Sequence, residues 1–204
     1  MVWTITILLF YLLHRHESKF IQHVVEVILH KLSSSFSSIT TNLVGIDSSM
    51  EELITSYLGL ANNVCMIGIC GMGGLGKTTI ARVVFDRFSN YFEGSSFVIN
   101  VREVSEKGGL VPLQQQLIVE VLEDRNTKIR NVYHGIDMIK KTLCNKKVLI
   151  VLDDVNQLDQ LEKLVGDHGW FGLGCWIIIT TTDEYLVGSE NLIYINWTNI
   201  ITTS

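Results

Sequence analysis

Residues 64–79 read VCMIGICGMGGLGKTT, and this stretch decides the fold. It begins with an uncharged apolar run, residues 64–70, as expected of a strand that is buried on both faces of a sheet. Gly71, Gly76, Lys77 and Thr78 complete the spacing G-x-x-x-x-G-K-T, and residues 80–85 continue in a helical pattern. A strand, a glycine-rich loop and a helix in this order predict a P-loop, which holds the phosphates of a nucleotide.

The residue types of this loop suit a polyphosphate. Glycines permit backbone dihedral angles and a close approach that side chains would block, and the loop has four of them: Gly71, Gly73, Gly74 and Gly76. The helix that follows adds its N-terminal N–H groups and its dipole. We expect Lys77 to contact the β- and γ-phosphates, Thr78 to bind Mg²⁺ and Thr79 to reach the α-phosphate. The alternative, a glycine-rich turn without a ligand, is disfavoured by the flanking strand and helix.

A second motif lies about 75 residues further along the chain. Residues 148–152 (VLIVL) are apolar and are followed by Asp153 and Asp154. A buried strand that ends in a carboxylate at the edge of the sheet where phosphates bind is typical of a Walker B strand. Asp153 is the predicted ligand of Mg²⁺ or of its water, and Asp154 is the predicted catalytic residue that orients or deprotonates an attacking water.

Three further apolar runs predict strands, and the segments between them predict helices. The strands are predicted at residues 96–101, 175–181 and 192–195, and the helices at residues 113–122 and 136–143. Alternating strands and helices favour an α/β fold in which a parallel sheet has helices on both faces. We therefore predict a P-loop NTPase fold, preceded by a helical linker.

The composition suits a single folded domain. The chain has 204 residues, of which 47% are hydrophobic and 18% are charged, so it can bury a core. Its formal net charge of −5 gives no basic excess for displacing counterions, and we expect no nucleic-acid partner. The four cysteines form no C-x-x-C pair, and we interpret them as small buried hydrophobic residues in a reducing compartment.

The first 38 residues differ from the rest in pattern. Residues 2–13 (VWTITILLFYLL) are almost continuously apolar, but a helix of that length spans roughly 18 Å, short of the ~30 Å hydrocarbon core. Their flanks lack the features of a signal peptide, so membrane association is the disfavoured alternative to a buried strand or helix. Residues 17–32 predict an amphipathic helix, and the serine-rich residues that follow predict a linker. We divide the chain into an apolar segment of unclear role (1–14), the helix with its linker (15–38) and a P-loop nucleotide-binding subdomain (39–204).

Several stretches resemble the nucleotide-binding part of plant disease-resistance receptors of the TIR–NB-ARC–leucine-rich-repeat class. The P-loop at residues 70–82 is similar to that of the family. In LDDVN, residues 152–156, the final Asn156 resembles the TIR-linked branch. Similar stretches also occur at residues 15–21, 43–47, 100–105 and 170–183. The resemblance covers residues 15–196, and its motifs are specific when taken together.

The resemblance implies a nucleotide-binding module of a plant innate-immune receptor, which switches between ADP and ATP states in the cytoplasm. Within residues 43–47 it implies that Val44 and Ile46 pack against adenine. The implied partners are an adenine nucleotide with Mg²⁺ and full-length immune receptors. Two alternatives remain open, a truncated interaction or regulatory fragment and a slow ATPase. A P-loop kinase would need a phosphate-acceptor site, for which the sequence shows no pattern.

The chain departs from the family in one informative place. At the end of the strand at residues 175–181 the family usually has Thr-Thr-Arg, whereas this chain has Thr180, Thr181 and Thr182. The resemblance assigns that arginine to sensing the terminal phosphate, so Thr182 predicts little hydrolysis and weak discrimination between ATP and ADP. The GLPL-type and MHD-type motifs and the leucine-rich repeats of the family are not found in these 204 residues, so we expect the chain to correspond to a truncated NB-ARC domain.

Overall fold

The predicted apolar runs assemble into one sheet with helices between its strands. The structure is a computed structural model, and it describes residues 63–187 and 193–196. In chain order its strands and α-helices are β1 (Cys65–Cys70), α1 (Lys77–Phe88), β2 (Gly94–Val98), α2 (Val101–Gly108), α3 (Val111–Leu122), α4 (Val132–Leu143), β3 (Val148–Val155), α5 (Leu158–Leu164), β4 (Trp176–Thr181), α6 (Glu184–Val187) and β5 (Ile193–Asn196). Two short 3₁₀ helices, Ser89–Tyr91 and His168–Trp170, follow α1 and precede β4.

The strands lie in the order β2-β3-β4-β1-β5, and every neighbouring pair is parallel. The predicted α/β P-loop NTPase fold is therefore confirmed. Because parallel strands present their carboxyl ends at one edge, the loop after β1 and the acids of β3 lie at the same edge of the sheet. β4 separates these two strands, so a side chain on β4 can bond to the acids of β3 while its backbone pairs with β1.

Burial on both faces of the sheet explains the uncharged runs. Every residue of β1 is buried, and β3 is buried at seven of its eight positions. The alternate residues Val148, Ile150 and Leu152 join a core cluster with Leu117 and Ile118 of α3. α1 packs against β3 and β4, and it buries an apolar stripe that includes Ile80 and Val84. Helices on two faces account for strands that do not alternate between apolar and polar residues.

Two strand boundaries differ from the sequence prediction. The strand predicted over residues 96–101 spans Gly94–Val98, because Asn100 takes a left-handed conformation (φ 53°) and Val101 begins α2. β3 does not stop at Leu152 but continues through both acids to Val155, and Asp154 also has a positive φ (59°). A positive φ in a non-glycine residue is uncommon, and apolar patterning does not reveal it.

Two other expectations also need correction. The helix predicted from residue 136 begins at Val132, because the side chain of Asn131 accepts a hydrogen bond from His134 N at 2.9 Å and caps the helix. Cys144 at the end of α4 is exposed, whereas Cys65, Cys70 and Cys175 are buried as predicted. An exposed thiol next to a helix end carries no signature in composition or spacing.

Some predictions fall outside the described residues. These are the apolar segment 1–14, the helix and linker over residues 15–38, and the adenine contacts of Val44 and Ile46. Within the described residues, no helix combines the length and apolarity needed to cross a membrane.

Candidate nucleotide-binding site

The loop between β1 and α1 is built on glycine conformations. Gly74 (φ 82°) and Gly76 (φ 80°) adopt left-handed angles that other residues rarely take. The loop begins at Gly71, whose N–H donates to Thr181 O of β4 at 3.3 Å. These features hold residues 71–76 across the carboxyl ends of β1 and β4.

Gly73 is the informative glycine, because no neighbour in the described part of the chain requires it. Its φ is not positive, and a Cβ added there would meet no described atom within 4 Å. The same open space lies beside Gly74 and Gly76. Glycines that face open space allow an external group to approach the backbone, so the loop fits a phosphate chain.

The first turn of α1 favours a negatively charged ligand. No side chain caps the helix at Gly76, and its first turn contains no acidic residue. No carboxylate within the helix itself therefore counters its dipole and its N-terminal N–H groups. Thr78 and Thr79 are exposed in this turn.

Lys77 places a buried cation inside the loop. Its side chain is 9% exposed, and Nζ donates to Gly71 O and to Met72 O, both at 2.8 Å. Burial lowers the pKa of the Lys77 ammonium, and the negative charges of Asp154 and Asp153 act in the opposite direction. Hydrogen bonds to these two consecutive carbonyls hold Nζ against the loop, where a phosphate oxygen would be a stronger acceptor.

Asp153 joins the two predicted motifs. It is 3% exposed, and its Oδ1 accepts a hydrogen bond from Thr78 Oγ1 at 2.8 Å. The same oxygen accepts a second bond from Thr180 Oγ1 of β4 at 2.7 Å. One carboxylate oxygen thus connects α1, β3 and β4.

Asp154 has different surroundings. Its N–H donates to Thr180 Oγ1 at 3.0 Å, and its Oδ2 lies 2.8 Å from the guanidinium of Arg102 in α2. The side chain of Asp154 is 28% exposed and that of Arg102 is 47% exposed, so water competes with the ion pair for both groups. Asp154 is therefore accessible, as the predicted catalytic role requires, but one of its oxygens is already paired.

The donors at this edge fit a magnesium ion that is shared with a phosphate. Carboxylate and hydroxyl oxygens are hard ligands, and Mg²⁺ usually takes one or two of them from a protein, with phosphate and water supplying the rest. In the described part of the chain, no group of three or more His, Cys, Asp or Glu could hold a metal alone. Thr78 and Asp153 would be the protein ligands, and the ion would supply charge neutralisation for the phosphates.

The structure brings most of the predicted site residues together. The loop, Lys77, Thr78 and Asp153 lie at one edge of the sheet, and Asp154 follows directly. Thr79 is exposed in the same turn as Thr78. Among the residues that the structure describes, no hydrogen bond of its side chain assigns it a role. Thr182 is exposed and follows Thr181, whose carbonyl binds the start of the loop.

Sequence reasoning missed two residues of the site. Thr180 contacts both acids, and Arg102 pairs with Asp154. The only available signal for Thr180 was a polar residue directly after the run of three isoleucines in β4. Arg102 had no signal beyond the family-like stretch in which it lies.

Comparison with known proteins agrees with this geometry. The family model of the NB-ARC domain matches residues 46–195. Disease resistance protein RPV1 of Vitis rotundifolia is 40% identical over 179 residues, which cover 87% of this chain. TMV resistance protein N of Nicotiana glutinosa is 42% identical over 182 residues, which cover 85% of this chain. The chain spans only 13% and 16% of the lengths of these two relatives.

A solved structure supports the fold independently. The chain is similar to Cdc6p of Pyrobaculum aerophilum, with a TM-score of 0.51 and 13% identity, over 75% of this chain and 45% of that one. This likeness concerns the fold alone. Fold and family model together imply a nucleotide-binding domain, and the match over residues 46–195 shows that this chain belongs to the NB-ARC domain family.

Proposed function

We propose that this chain binds ADP and ATP with Mg²⁺, as the nucleotide-binding module of a plant innate-immune receptor. The observation that carries the proposal is the 2.8 Å hydrogen bond between Thr78 Oγ1 and Asp153 Oδ1. This bond unites the loop motif with the acid motif, which are 75 residues apart in sequence. Two motifs that meet at one sheet edge support a joint site for phosphate and metal far better than either does alone.

Each predicted residue has a role in this proposal. Gly71 anchors the start of the loop through its N–H bond to Thr181 O. Backbone N–H groups of Gly73, Gly74 and Gly76 cradle the phosphates, and Lys77 exchanges its carbonyl partners for β- and γ-phosphate oxygens. Thr79 contacts the α-phosphate, while Thr78 and Asp153 hold the metal. Val44 and Ile46 pack against adenine, and this role rests on the family resemblance alone.

The receptor role rests on the relatives. Two proteins named for resistance are 40% and 42% identical to this chain over the aligned residues, so we infer a part in plant defence signalling. Full-length receptors are the proposed macromolecular partners, and the cytoplasm is the proposed location. Switching between ADP and ATP states belongs to the proposal for the complete receptor.

A slow ATPase activity is the second candidate function. Asp154 supports it, because an accessible carboxylate next to a metal ligand can orient water. Two observations limit the rate: Asp154 Oδ2 is paired with Arg102, and Thr182 brings no positive charge to the terminal phosphate. We therefore expect binding to be much easier to detect than turnover.

The test begins with the purified chain. Mass spectrometry of released nucleotide identifies what it carries, and calorimetry measures the affinities for ADP and ATP. Lys77→Ala should weaken ADP binding at least about tenfold, equivalent to ~1.4 kcal/mol, because the main side-chain cation of the site is lost. Lys140→Ala on α4 is the matched control, since it removes the same charge from a residue that lies over the Trp170 ring. A folded Lys77→Ala protein with unchanged affinity would remove this loop from the proposal.

A further inference from the structure

The hydroxyl of Thr180 has a defined hydrogen-bonding direction. Its Oγ1 lies 2.7 Å from Asp153 Oδ1 and 3.0 Å from Asp154 N, and the residue is 1% exposed. An ionised carboxylate only accepts hydrogen bonds, and a backbone N–H only donates. Thr180 therefore donates its single proton to Asp153 and accepts the N–H of Asp154 on a lone pair.

This hydroxyl lies at an irregularity of the sheet. Leu152 pairs with Ile179 and Val155 pairs with Thr181, so two residues of β3 face the single residue Thr180 of β4. A bulge of this kind interrupts the backbone ladder and re-aims side chains. At the interruption, the Thr180 side chain bonds to the backbone of one acid and to the carboxylate of the other.

The bonding pattern orients the Asp153 carboxylate. Thr78 and Thr180 both donate to Oδ1, and neither uses Oδ2. Thr78 donates its hydroxyl hydrogen to Asp153, so the lone pairs of its oxygen stay available to a cation. Two donors on one oxygen fix the rotation of the carboxylate more firmly than one donor does.

We propose that Thr180 is a positioning residue for the magnesium site: it holds Asp153 in the orientation in which Oδ2 and the Thr78 oxygen together receive the ion. The inference rests on the proposed nucleotide binding and adds a residue on β4 to it. Thr180 acts through Asp153 and does not itself contact the phosphates. Its hydroxyl contributes to the metal-dependent part of binding and leaves the metal-independent part unchanged.

Three variants of the full chain separate this role from simple packing. Thr180→Val keeps the side-chain shape and removes the hydroxyl, while Thr180→Ser keeps the hydroxyl. Thr181→Val is the matched control, because Thr181 is the next residue of the same strand, is 0% exposed and bonds only to Asp183 N within the described contacts of its side chain. Both valine variants replace a buried hydroxyl by a methyl of similar size, whereas Thr180→Ser keeps the hydroxyl and loses the methyl.

Calorimetry measures ADP and ATP affinity, first with EDTA and then across a series of Mg²⁺ concentrations. For Thr180→Val we expect metal-free ADP affinity within about twofold of wild type, and a gain in ATP affinity from Mg²⁺ that is at least about tenfold smaller. Thr180→Ser and Thr181→Val should keep the gain. If circular dichroism shows that Thr180→Val does not fold, Thr180→Ala replaces it. Alanine also lacks the hydroxyl, has a smaller side chain than valine, and is tested by the same titrations.

The outcomes distinguish the two proposals. A wild-type chain that binds neither ADP nor ATP contradicts the proposed function itself. If Mg²⁺ raises the ATP affinity of the wild type and of a folded Thr180→Val protein by the same factor, the role of Thr180 is contradicted. The proposed nucleotide binding then still stands. Equal losses in Thr180→Val and Thr181→Val would also overturn it, because they would reflect packing of the strand and not the orientation of Asp153.

Discussion

The phosphate loop and the acid edge of β3 and β4 form one site, but they are constructed differently. The loop is a contiguous run, residues 71–76, that offers backbone groups. At three of its glycines an added Cβ would meet no described atom within 4 Å. The acid edge is assembled from distant residues: Thr78 is 75 residues from Asp153, and Thr180 is 27 residues beyond Asp153. It consists of side chains, and Asp153 and Thr180 are almost fully buried.

This difference predicts a division of labour. The loop and Lys77 can attract any polyphosphate, because backbone dipoles and an ammonium group need no metal. The acid edge contributes only where a cation bridges carboxylate and phosphate. Loop substitutions should therefore weaken ADP and ATP alike, with or without Mg²⁺, whereas substitutions at the acid edge should affect mainly the metal-dependent gain.

The largest effect is expected at Gly73. Gly73→Val should leave the free energy of unfolding nearly unchanged, because Gly73 is exposed and a Cβ there would meet no described atom within 4 Å. It should weaken both nucleotides roughly ten- to a hundredfold, since blocking even one charge-assisted bond costs about 1.5–3 kcal/mol. Gly73→Ala should give a smaller loss. Thermal unfolding and calorimetry on the same samples measure the two quantities.

A second glycine provides the contrasting control. At Gly135 in α4, an added Cβ would overlap the side chain of the buried Gln114. Gly135→Ala should lose stability and, in the protein that stays folded, keep its affinity. Equal loss of stability in Gly73→Val and Gly135→Ala would mean that Gly73 is a structural glycine and not part of a cradle.

An intermediate effect is expected at Asp153. Asp153→Asn keeps the shape but removes the charge, so the gain in ATP affinity from Mg²⁺ should fall about tenfold, roughly 1.4 kcal/mol. Metal-free ADP binding should change little or improve, because a negative charge near the phosphates is lost. Asp159→Asn on α5 changes the net charge equally at a side chain that is 60% exposed. If Asp153→Asn also lost about tenfold in metal-free ADP affinity, the loop and the acid edge would not act separately.

The smallest effect is expected at Thr182. This exposed residue follows Thr181, whose carbonyl accepts a hydrogen bond from Gly71 N. An arginine at position 182 would therefore extend from a backbone position beside the loop. Thr182→Arg should raise the ratio of ATP to ADP affinity about threefold, within the 0.2–1 kcal/mol typical of exposed charges. Thr182→Gln controls for side-chain length, and both must be measured at one salt concentration. A ratio that does not move in folded Thr182→Arg would show that residue 182 does not face the terminal phosphate.

The sequence predicted the loop better than the acid edge for a physical reason. The loop spacing and the buried strand β1 are local patterns, and the α/β P-loop fold inferred from them is confirmed. The acids were found because they end an apolar run. The left-handed angles of Asn100 and Asp154 were not found, because apolar patterning does not report backbone dihedral angles, although Asn and Asp adopt positive φ more readily than most residues. At Asp154 the angle lies within the bulge between β3 and β4.

By itself, the sequence determined which residues could meet a phosphate: glycines that allow close approach, a lysine at the start of a helix and carboxylates at the end of a strand. Tertiary structure decided what holds them. The adjacency of β3 and β4 places Thr180 against both acids, and α2, which begins directly after Asn100, carries the Arg102 that pairs with Asp154. Backbone cradles arise from neighbouring residues, whereas the orientation of a carboxylate depends on donors that strand order delivers from elsewhere in the chain.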